Sequence, residues 1–401
     1  MNILFISSEY PPETGFGGIA TYTRLMAQAL SGRGHRVEVV SLSREKAPSE
    51  SRDGRIAVHR VLPEPFPLPA HPRLYYFRAL CYRTVFNSLV RLSFAKAVLK
   101  KCEELGADDG FDIIEAPECG AEAFYLKPER ARLAIRLHTP WQLAAKLDRI
   151  DEPWTDVLFT GFLERRTARA AHGISSPTLA LKAVLEKRWK LKNVVCYPNP
   201  MDVENMHPKS GPGNYIIYTG RVEYRKGVHV LIRAYAEARR SGLEMPLLLM
   251  GAPFGALKGG RDYGSVIEEM IRELELSGRV EWIRHGTREE VLQRLSGAAA
   301  AVYPSLWENF PYSCLEAMAS AVPVIASNIG GYREIIEEGG SGLFFTPPDH
   351  LQLADRLKVL LNDKGLALRL GQGGRKRVAE EYACGKIAEK AENFYRGLLN
   401  G

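Results

Sequence analysis

Tyr215-Ile216-Ile217-Tyr218-Thr219-Gly220-Arg221-Val222-Glu223-Tyr224-Arg225-Lys226-Gly227 is the stretch that decides the fold. A short apolar run stops at a glycine and crosses a turn. It then feeds residues 228–240, whose apolar spacing is helical. Arg221 and Lys226 sit five positions apart just past the strand, and Arg225 between them is expected to face solvent. Further along, the apolar run 299–303 leads into Trp307-Glu308-Asn309-Phe310-Pro311-Tyr312-Ser313-Cys314-Leu315-Glu316. This second stretch places two glutamates eight positions apart, the later one in the first turn of a helix expected to begin near Ser313. Cations past one strand end and carboxylates past another converge if both strands are parallel members of one sheet.

Outward from these two stretches the pattern alternates. Strands are expected at 215–219, 247–250, 280–284, 299–303, 324–326 and 343–345. Helices fall between and after them, the last at 386–399. Such alternation specifies a parallel sheet covered by helices. The N-terminal half opens the same way, with strand 2–8, a glycine loop, helix 19–30 and strand 36–42. Further strands follow at 56–61, 111–115, 132–137, 173–176 and 194–197. Between the halves, 200–214 is rich in proline, glycine and polar residues and reads as a linker. The expectation is two doubly wound, Rossmann-like α/β domains facing across a cleft, the first over 1–200 and the second over 201–385.

The bulk composition agrees. A chain of 401 residues exceeds one ordinary core, and 45% hydrophobic with 25% charged residues is the balance of a water-soluble globular protein. No apolar run is long enough to span a bilayer, and the apolar start at 2–6 lacks the basic region and cleavage site of a signal peptide. Six cysteines lie far apart with no C-x-x-C pair, which fits free thiols in a cytoplasmic protein. The net charge of +7 suits anionic ligands or an anionic membrane surface. No nucleic-acid-binding motif accompanies it.

One stretch stands apart. From Arg73 to Cys102 there are seven basic residues (Arg73, Arg78, Arg83, Arg91, Lys96, Lys100, Lys101) and no acidic one, interleaved with Tyr75, Tyr76, Phe77, Tyr82, Phe86 and Phe94. Two readings stay open: a helix lying on an anionic membrane, and a core helix with long basic side chains along its edge.

The loop Glu9-Tyr10-Pro11-Pro12-Glu13-Thr14-Gly15-Phe16-Gly17-Gly18 contains Gly15-x-Gly17-x-x-Ala20, the spacing of a dinucleotide fingerprint. Six residues separate it from the strand, and the second strand closes on Ser41-Leu42-Ser43-Arg44 with no acid for a ribose. A nicotinamide or flavin cofactor is therefore not expected. Either the loop is a plain turn, or its backbone N–H groups at a helix start meet phosphate or sugar oxygens. His138 ends the strand 132–137 and stands at the ligand-binding edge of the sheet, as do Glu115 and Glu118 past the previous strand. No D-x-D triplet ends a strand, and no His/Asp/Glu set has metal-ligand spacing.

Arg221 and Lys226 are suited to a leaving diphosphate, where charge grows as the bond breaks. With those cations in place no metal is expected. Glu316 is suited to a ribose diol and Glu308 to sugar hydroxyls. Paired carboxylates also suit a glycoside hydrolase, but phosphate-directed cations have no work there.

These residues resemble glycosyltransferase family 4, the retaining glycosyltransferases of GT-B fold. The likeness covers nearly the whole chain: Gly17-Gly18-Ile19-Ala20, Gly32-Arg33-Gly34-His35, His138, Asn199-Pro200-Met201-Asp202, Gly220-Arg221, Lys226-Gly227, and Glu308-x7-Glu316. The resemblance implies the following roles. Arg221 and Lys226 hold the donor diphosphate and Glu316 the ribose. Glu308, with backbone of Asn309, Phe310 and Pro311, holds the donor sugar. His138 contacts that sugar near the reacting carbon, and Gly17 and Gly18 meet the diphosphate or sugar. It also implies that 386–401 packs back on the first, acceptor-binding domain, and that the second domain binds a UDP- or GDP-sugar. The acceptor is a hydroxyl of a sugar, lipid-linked sugar or small molecule, and the work is surface polysaccharide or glycolipid synthesis in the cytoplasm. A nucleotide-sugar epimerase and a non-catalytic nucleotide-sugar binder are the alternatives.

Overall fold

The computed structural model describes residues 1–401 except Phe16, 65–74, His207, Ser210, Lys258 and Gly259. Arg73 lies outside the described residues, as do the side chains of Tyr75, Tyr76, Phe77 and Arg78. The chain divides into two compact units. The first holds Met1–Ala145, Glu152–Pro200 and Cys384–Gly401, and the second holds Lys146–Asp151 and Met201–Ala383. Lys146–Asp151 therefore departs from the boundary read at 200; its Asp148 is buried, its Arg149 lies over the Tyr224 ring at 3.9 Å and its Ile150 bridges to Leu257. All six cysteines are free thiols.

In the first unit the strands are β1 (Asn2–Ile6), β2 (Arg36–Leu42), β3 (Ser49–Asp53), β4 (Ile56–Val61), β5 (Ile113–Pro117), β6 (Arg132–Arg136), β7 (Gly173–Ser176) and β8 (Val195–Cys196). They form one sheet in the order β3-β4-β2-β1-β5-β6-β7-β8. All pairings are parallel except β3 with β4. Central strands covered on both faces need continuous apolar runs, and Ile3, Leu4, Phe5 and Ile6 of β1 are all buried. The exception, β3, reads Ser-Glu-Ser-Arg-Asp. It is an exposed antiparallel edge that no apolar pattern announces.

The helices of this unit are α1 (Gly18–Gly32), α2 (Tyr75–Thr84), α3 (Phe86–Glu104), α4 (Ala107–Gly110), α5 (Trp141–Leu147, its last two residues in the second unit), α6 (Trp154–Ala170) and α7 (Leu179–Trp189). The second unit adds α8 (Val228–Arg240), α9 (Tyr263–Glu273), α10 (Arg288–Ser296), α11 (Tyr312–Ala319), α12 (Gly330–Ile335), α13 (His350–Asn362) and α14 (Lys364–Glu381). The final helix, α15 (Cys384–Asn400), belongs to the first unit. Glu392 of α15 takes Arg33 Nε at 2.5 Å and His35 Nε2 at 2.9 Å, and Tyr395 Oη donates to Glu115 at 2.7 Å. Arg33 and His35 hold the Glu392 carboxyl down at about 2.

The second unit's strands are β9 (Ile216–Thr219), β10 (Leu247–Met250), a ribbon of β11 (Ala256–Leu257) and β12 (Arg261–Asp262), then β13 (Val280–Ile283), β14 (Ala300–Tyr303), β15 (Val324–Ser327) and β16 (Leu343–Phe345). The main sheet runs β13-β10-β9-β14-β15-β16, all parallel. The chain leaves β9 towards β10 and β13, then returns to place β14 on the other side of β9. That reversal is a topological switch point, where α/β sheets bind ligands outside the carboxyl ends of the strands. The first unit has its own reversal between β1 and β5.

Three buried acids organise the carboxyl edge of the first sheet. Glu118 accepts from His138 N at 2.7 Å, Glu122 from Ser8 N at 3.0 Å, and Glu164 from Trp141 N at 3.0 Å and Gly120 N at 3.1 Å. Burial pushes Glu118 up to about 8, aided by the neighbouring Glu164 charge, and burial raises Glu122 and Glu164 to about 7. Each holds its proton more tightly folded than unfolded, so its contribution to stability falls as pH rises from about 4.5 towards 7 and 8. Glu118→Gln keeps the acceptor oxygen and removes the charge. Its melting temperature should exceed that of the unmutated protein at pH 8, with the gap closing towards pH 4.5. A gap independent of pH would refute this.

Candidate functional site

The residues quoted first lie at the switch point of the second unit. Gly220–Gly227 leaves the end of β9, and Pro304–Pro311 leaves the end of the adjacent strand β14. Two contacts lock these loops together. Leu306 N donates to Arg225 O at 2.7 Å. Gly227 has φ +68°, and a Cβ there would stand 2.0 Å from Pro304 O. No other residue type allows both that backbone conformation and that approach. Below, Tyr218 Oη donates to Arg221 O at 2.7 Å and Tyr303 Oη to Ser313 O at 2.6 Å, so buried tyrosines of both strands set the backbone above them.

Around this joint six charges interlock. Arg225 is buried, with Nε 2.8 Å from Asp148 Oδ2 and Nη2 2.6 Å from Glu223 Oε1. Its Nη1 is 3.8 Å from Glu308 Oε1. Lys226 Nζ donates to Glu308 Oε2. Arg221 is half-exposed, lies 3.5 Å from Glu223 Oε2, and stacks over the Phe254 ring at 4.7 Å. Burial alone would lower the Arg225 pKa, but Glu223, Glu308 and Asp148 outweigh it and hold the guanidinium charged. Burial would likewise raise Glu308, yet Lys226 and Arg225 keep its carboxyl below the usual range. Glu308 is therefore an ionised acceptor, and Arg221 presents a fork suited to phosphate oxygens.

Arg225 thus corrects the solvent-facing expectation. It is the buried centre of the cluster, because three carboxylates surround it. Asp148, 77 positions away in sequence, carries no spacing signal that could have revealed it. Glu223 lay within the quoted stretch but was not singled out.

Glu316 is buried in α11, which begins at Tyr312 with Pro311 as its cap. It therefore sits in the second turn, where the helix dipole does not explain a carboxylate. Its partner is Arg288, at the start of α10, with Nη1 2.8 Å from Glu316 Oε1. Burial raises Glu316 in spite of that cation. Arg288 was missed because it lies in a polar helix start with no link in sequence to Glu316. Asn309 and Phe310 are buried, and the Phe310 ring packs edge-on against Tyr312 and Tyr382.

The first unit holds the other expected residues at its own carboxyl edge. Gly17 caps α1 with extended backbone and, being glycine, offers no side-chain cap to the first-turn N–H groups. His138 is buried, its ring edge-on to Tyr22 at 5.3 Å. Burial, with the Arg136 charge, depresses its pKa to about 3, so the imidazole is neutral near pH 7. Among the described residues no group of His, Cys, Asp and Glu side chains is arranged to hold a metal.

Residues 16–205 match the family model described as Glycosyltransferase Family 4, and residues 202–377 match that of Glycosyl transferases group 1. The chain belongs to glycosyltransferase family 4. A family 4 relative, the glycogen synthase of Mycobacterium tuberculosis, is 25% identical over 100% of this chain and 96% of its own length. The fold is GT-B. Sucrose-phosphate synthase from Thermosynechococcus elongatus superposes with a TM-score of 0.79 at 22% identity, covering 100% and 99% of the two chains. Anabaena HepE in complex with UDP-glucose gives 0.69 at 19% identity, covering 98% and 99%.

In this glycosyltransferase, Arg225→Ala should cost about 3–5 kcal/mol of stability, because it strands buried carboxylates. Arg221→Ala should stay within about 0.5 kcal/mol, as exposed positions do. Denaturant unfolding of both variants checks this, and equal losses would refute the buried-centre role of Arg225.

Proposed function

We propose that the chain is a retaining glycosyltransferase that moves a sugar from a UDP- or GDP-sugar to an acceptor hydroxyl. The observation that carries this reading is the joint of β9 and β14, where Lys226 is paired with an ionised Glu308 and Arg221 stands half-exposed beside Glu223. Anomeric C–O bond cleavage leaves charge on the β-phosphate, and preorganised cations lower the barrier by stabilising it. In the proposed roles Arg221 and Lys226 bind the diphosphate and Glu316 the ribose. Glu308 and the backbone of Asn309, Phe310 and Pro311 bind the sugar. Gly17 and Gly18 contact the diphosphate or sugar, and the neutral His138 contacts the sugar near its reacting carbon. The second unit takes the donor and the first the acceptor.

Attack comes from the face that the diphosphate leaves. The acceptor oxygen bonds to the anomeric carbon as the carbon–phosphate oxygen bond breaks, and the departing phosphate takes the acceptor proton. Retention follows without an enzymic nucleophile, and two cations on the diphosphate make a metal unnecessary. The neighbour solved with UDP-glucose supports a nucleoside diphosphate sugar as donor. The acceptor belongs to surface polysaccharide, glycolipid or related glycoconjugate synthesis. The enzyme works in the cytoplasm, in peripheral contact with the inner face of an anionic membrane.

Single-turnover release of nucleoside diphosphate from UDP- and GDP-sugars, with an acceptor panel and EDTA present, tests the reading. Release should persist in EDTA and should fall about 10²–10³-fold in Lys226→Ala with the fold intact. The anomeric configuration in the product should match the donor. Inversion, or an unchanged rate in Lys226→Ala, would sink the proposal.

A further inference from the structure

The first unit exposes large apolar side chains where a water-facing surface has no use for them. On α6, Trp154 is 72% exposed, Leu158 50% and Phe162 44%. Their spacing of four sets them in one line along the helix, about 12 Å long. The start of α6 abuts the junction of α2 and α3. Thr155 Oγ1 donates to Thr84 O at 2.6 Å, and Asp156 accepts from Asn87 N and Ser88 N at 2.8 Å each. At that junction Leu80, Tyr82, Phe86 and Val90 are exposed too, with the Tyr82 and Phe86 rings 5.9 Å apart. Seven large apolar residues are exposed on three packed helices, a concentration of the kind that marks an interaction surface.

Within α6 and from Leu80 to Lys100 the exposed charges have one sign. The exposed residues of α6 are Trp154, Leu158, Phe162, Arg166, Arg169 and Ala170. Its two acids, Asp156 and Glu164, are buried, where they accept backbone N–H groups. From Leu80 to Lys100 the exposed charged residues of α2 and α3 are Arg83, Lys96 and Lys100, of which Lys100 already pairs with Glu64 at 3.4 Å. Glu103 and Glu104 come only at the far end of α3, and Asp151 precedes α6.

We infer that this face of α2, α3 and α6 docks on an anionic phospholipid bilayer, with Trp154, Leu158 and Phe162 entering the headgroup boundary. Arg83, Lys96 and Arg166 meet the lipid charge. The inference rests on the peripheral membrane contact proposed above and gives it a face and a lipid class. A second copy of the chain fits poorly. A two-fold contact would set Arg83, Lys96 and Arg166 against their own copies, and among the described residues no exposed acid within α6 or from Leu80 to Lys100 answers them. A bilayer supplies apolar depth and negative charge at once. No helix among the described residues is long and apolar enough to cross a membrane, so the contact is interfacial. The corresponding acceptor class is a hydroxyl on a membrane-anchored amphiphile.

Flotation of the full chain with phosphatidylcholine vesicles, and with vesicles containing phosphatidylglycerol, tests this. The unmutated chain should float with the anionic vesicles only. Trp154→Ser/Leu158→Ser/Phe162→Ser should weaken that partitioning at least about tenfold, at unchanged melting temperature and unchanged stabilisation by UDP or GDP. Arg83→Gln/Lys96→Gln should weaken it roughly thirtyfold, at about one kcal/mol for each charge. Absence of vesicle binding, or full binding by the triple variant, would overturn the inference. So would a dimer in solution that the triple variant dissolves. Loss of UDP and GDP stabilisation in every variant, the unmutated chain included, would instead count against the donor-site reading and leave the flotation result to judge the docking face.

Discussion

A buried arginine surrounded by three carboxylates fixes the geometry on which the second unit's chemistry depends. Arg225 cannot leave Asp148, Glu223 and Glu308 without stranding charge in a dry place. Because its backbone carbonyl also takes Leu306 N, the same residue holds the loop after β9 to the loop after β14. Lys226 and Arg221 flank it and inherit that rigidity. The arrangement is preorganised, so a bound diphosphate would find its cations already placed.

The carboxyl edge of the first sheet is organised by the opposite device. Burial raises Glu118 to about 8 and Glu122 and Glu164 to about 7, so near neutral pH they accept backbone N–H groups with less buried charge than ordinary carboxylates would carry. His138 is neutral for the same physical reason. An uncharged imidazole can both donate to and accept from a sugar hydroxyl. At the joint of β9 and β14 charge is retained by pairing, and at the carboxyl edge of the first sheet it is suppressed by burial.

The alternation of apolar runs with helical spacing was enough to read two doubly wound sheets, since strands covered on both faces leave continuous hydrophobic stretches. β3 escaped because an antiparallel edge of Ser, Glu, Ser, Arg and Asp needs no core face. Arg221, Lys226 and Glu308 could be picked out because they sit in the loops that leave strand ends, and Glu316 because it sits on the helix that follows the second loop. Asp148 and Arg288 were not, because ion pairing across the fold leaves no trace in spacing. Arg225 was misread because a charged residue between two others looks solvated until its carboxylates are seen in three dimensions. The exposed line on α6 was hidden by its buried acids, which make the helix look ordinary in sequence.

We propose that Lys226 and Arg221 hold the donor diphosphate. Calorimetric comparison of UDP with UMP, and GDP with GMP, tests it most directly, using the unmutated chain and Lys226→Ala. The unmutated chain should prefer the diphosphate of at least one pair by about tenfold or more, and Lys226→Ala should remove most of that preference. Equal affinity for mono- and diphosphates, or a preference that survives the substitution, would contradict it.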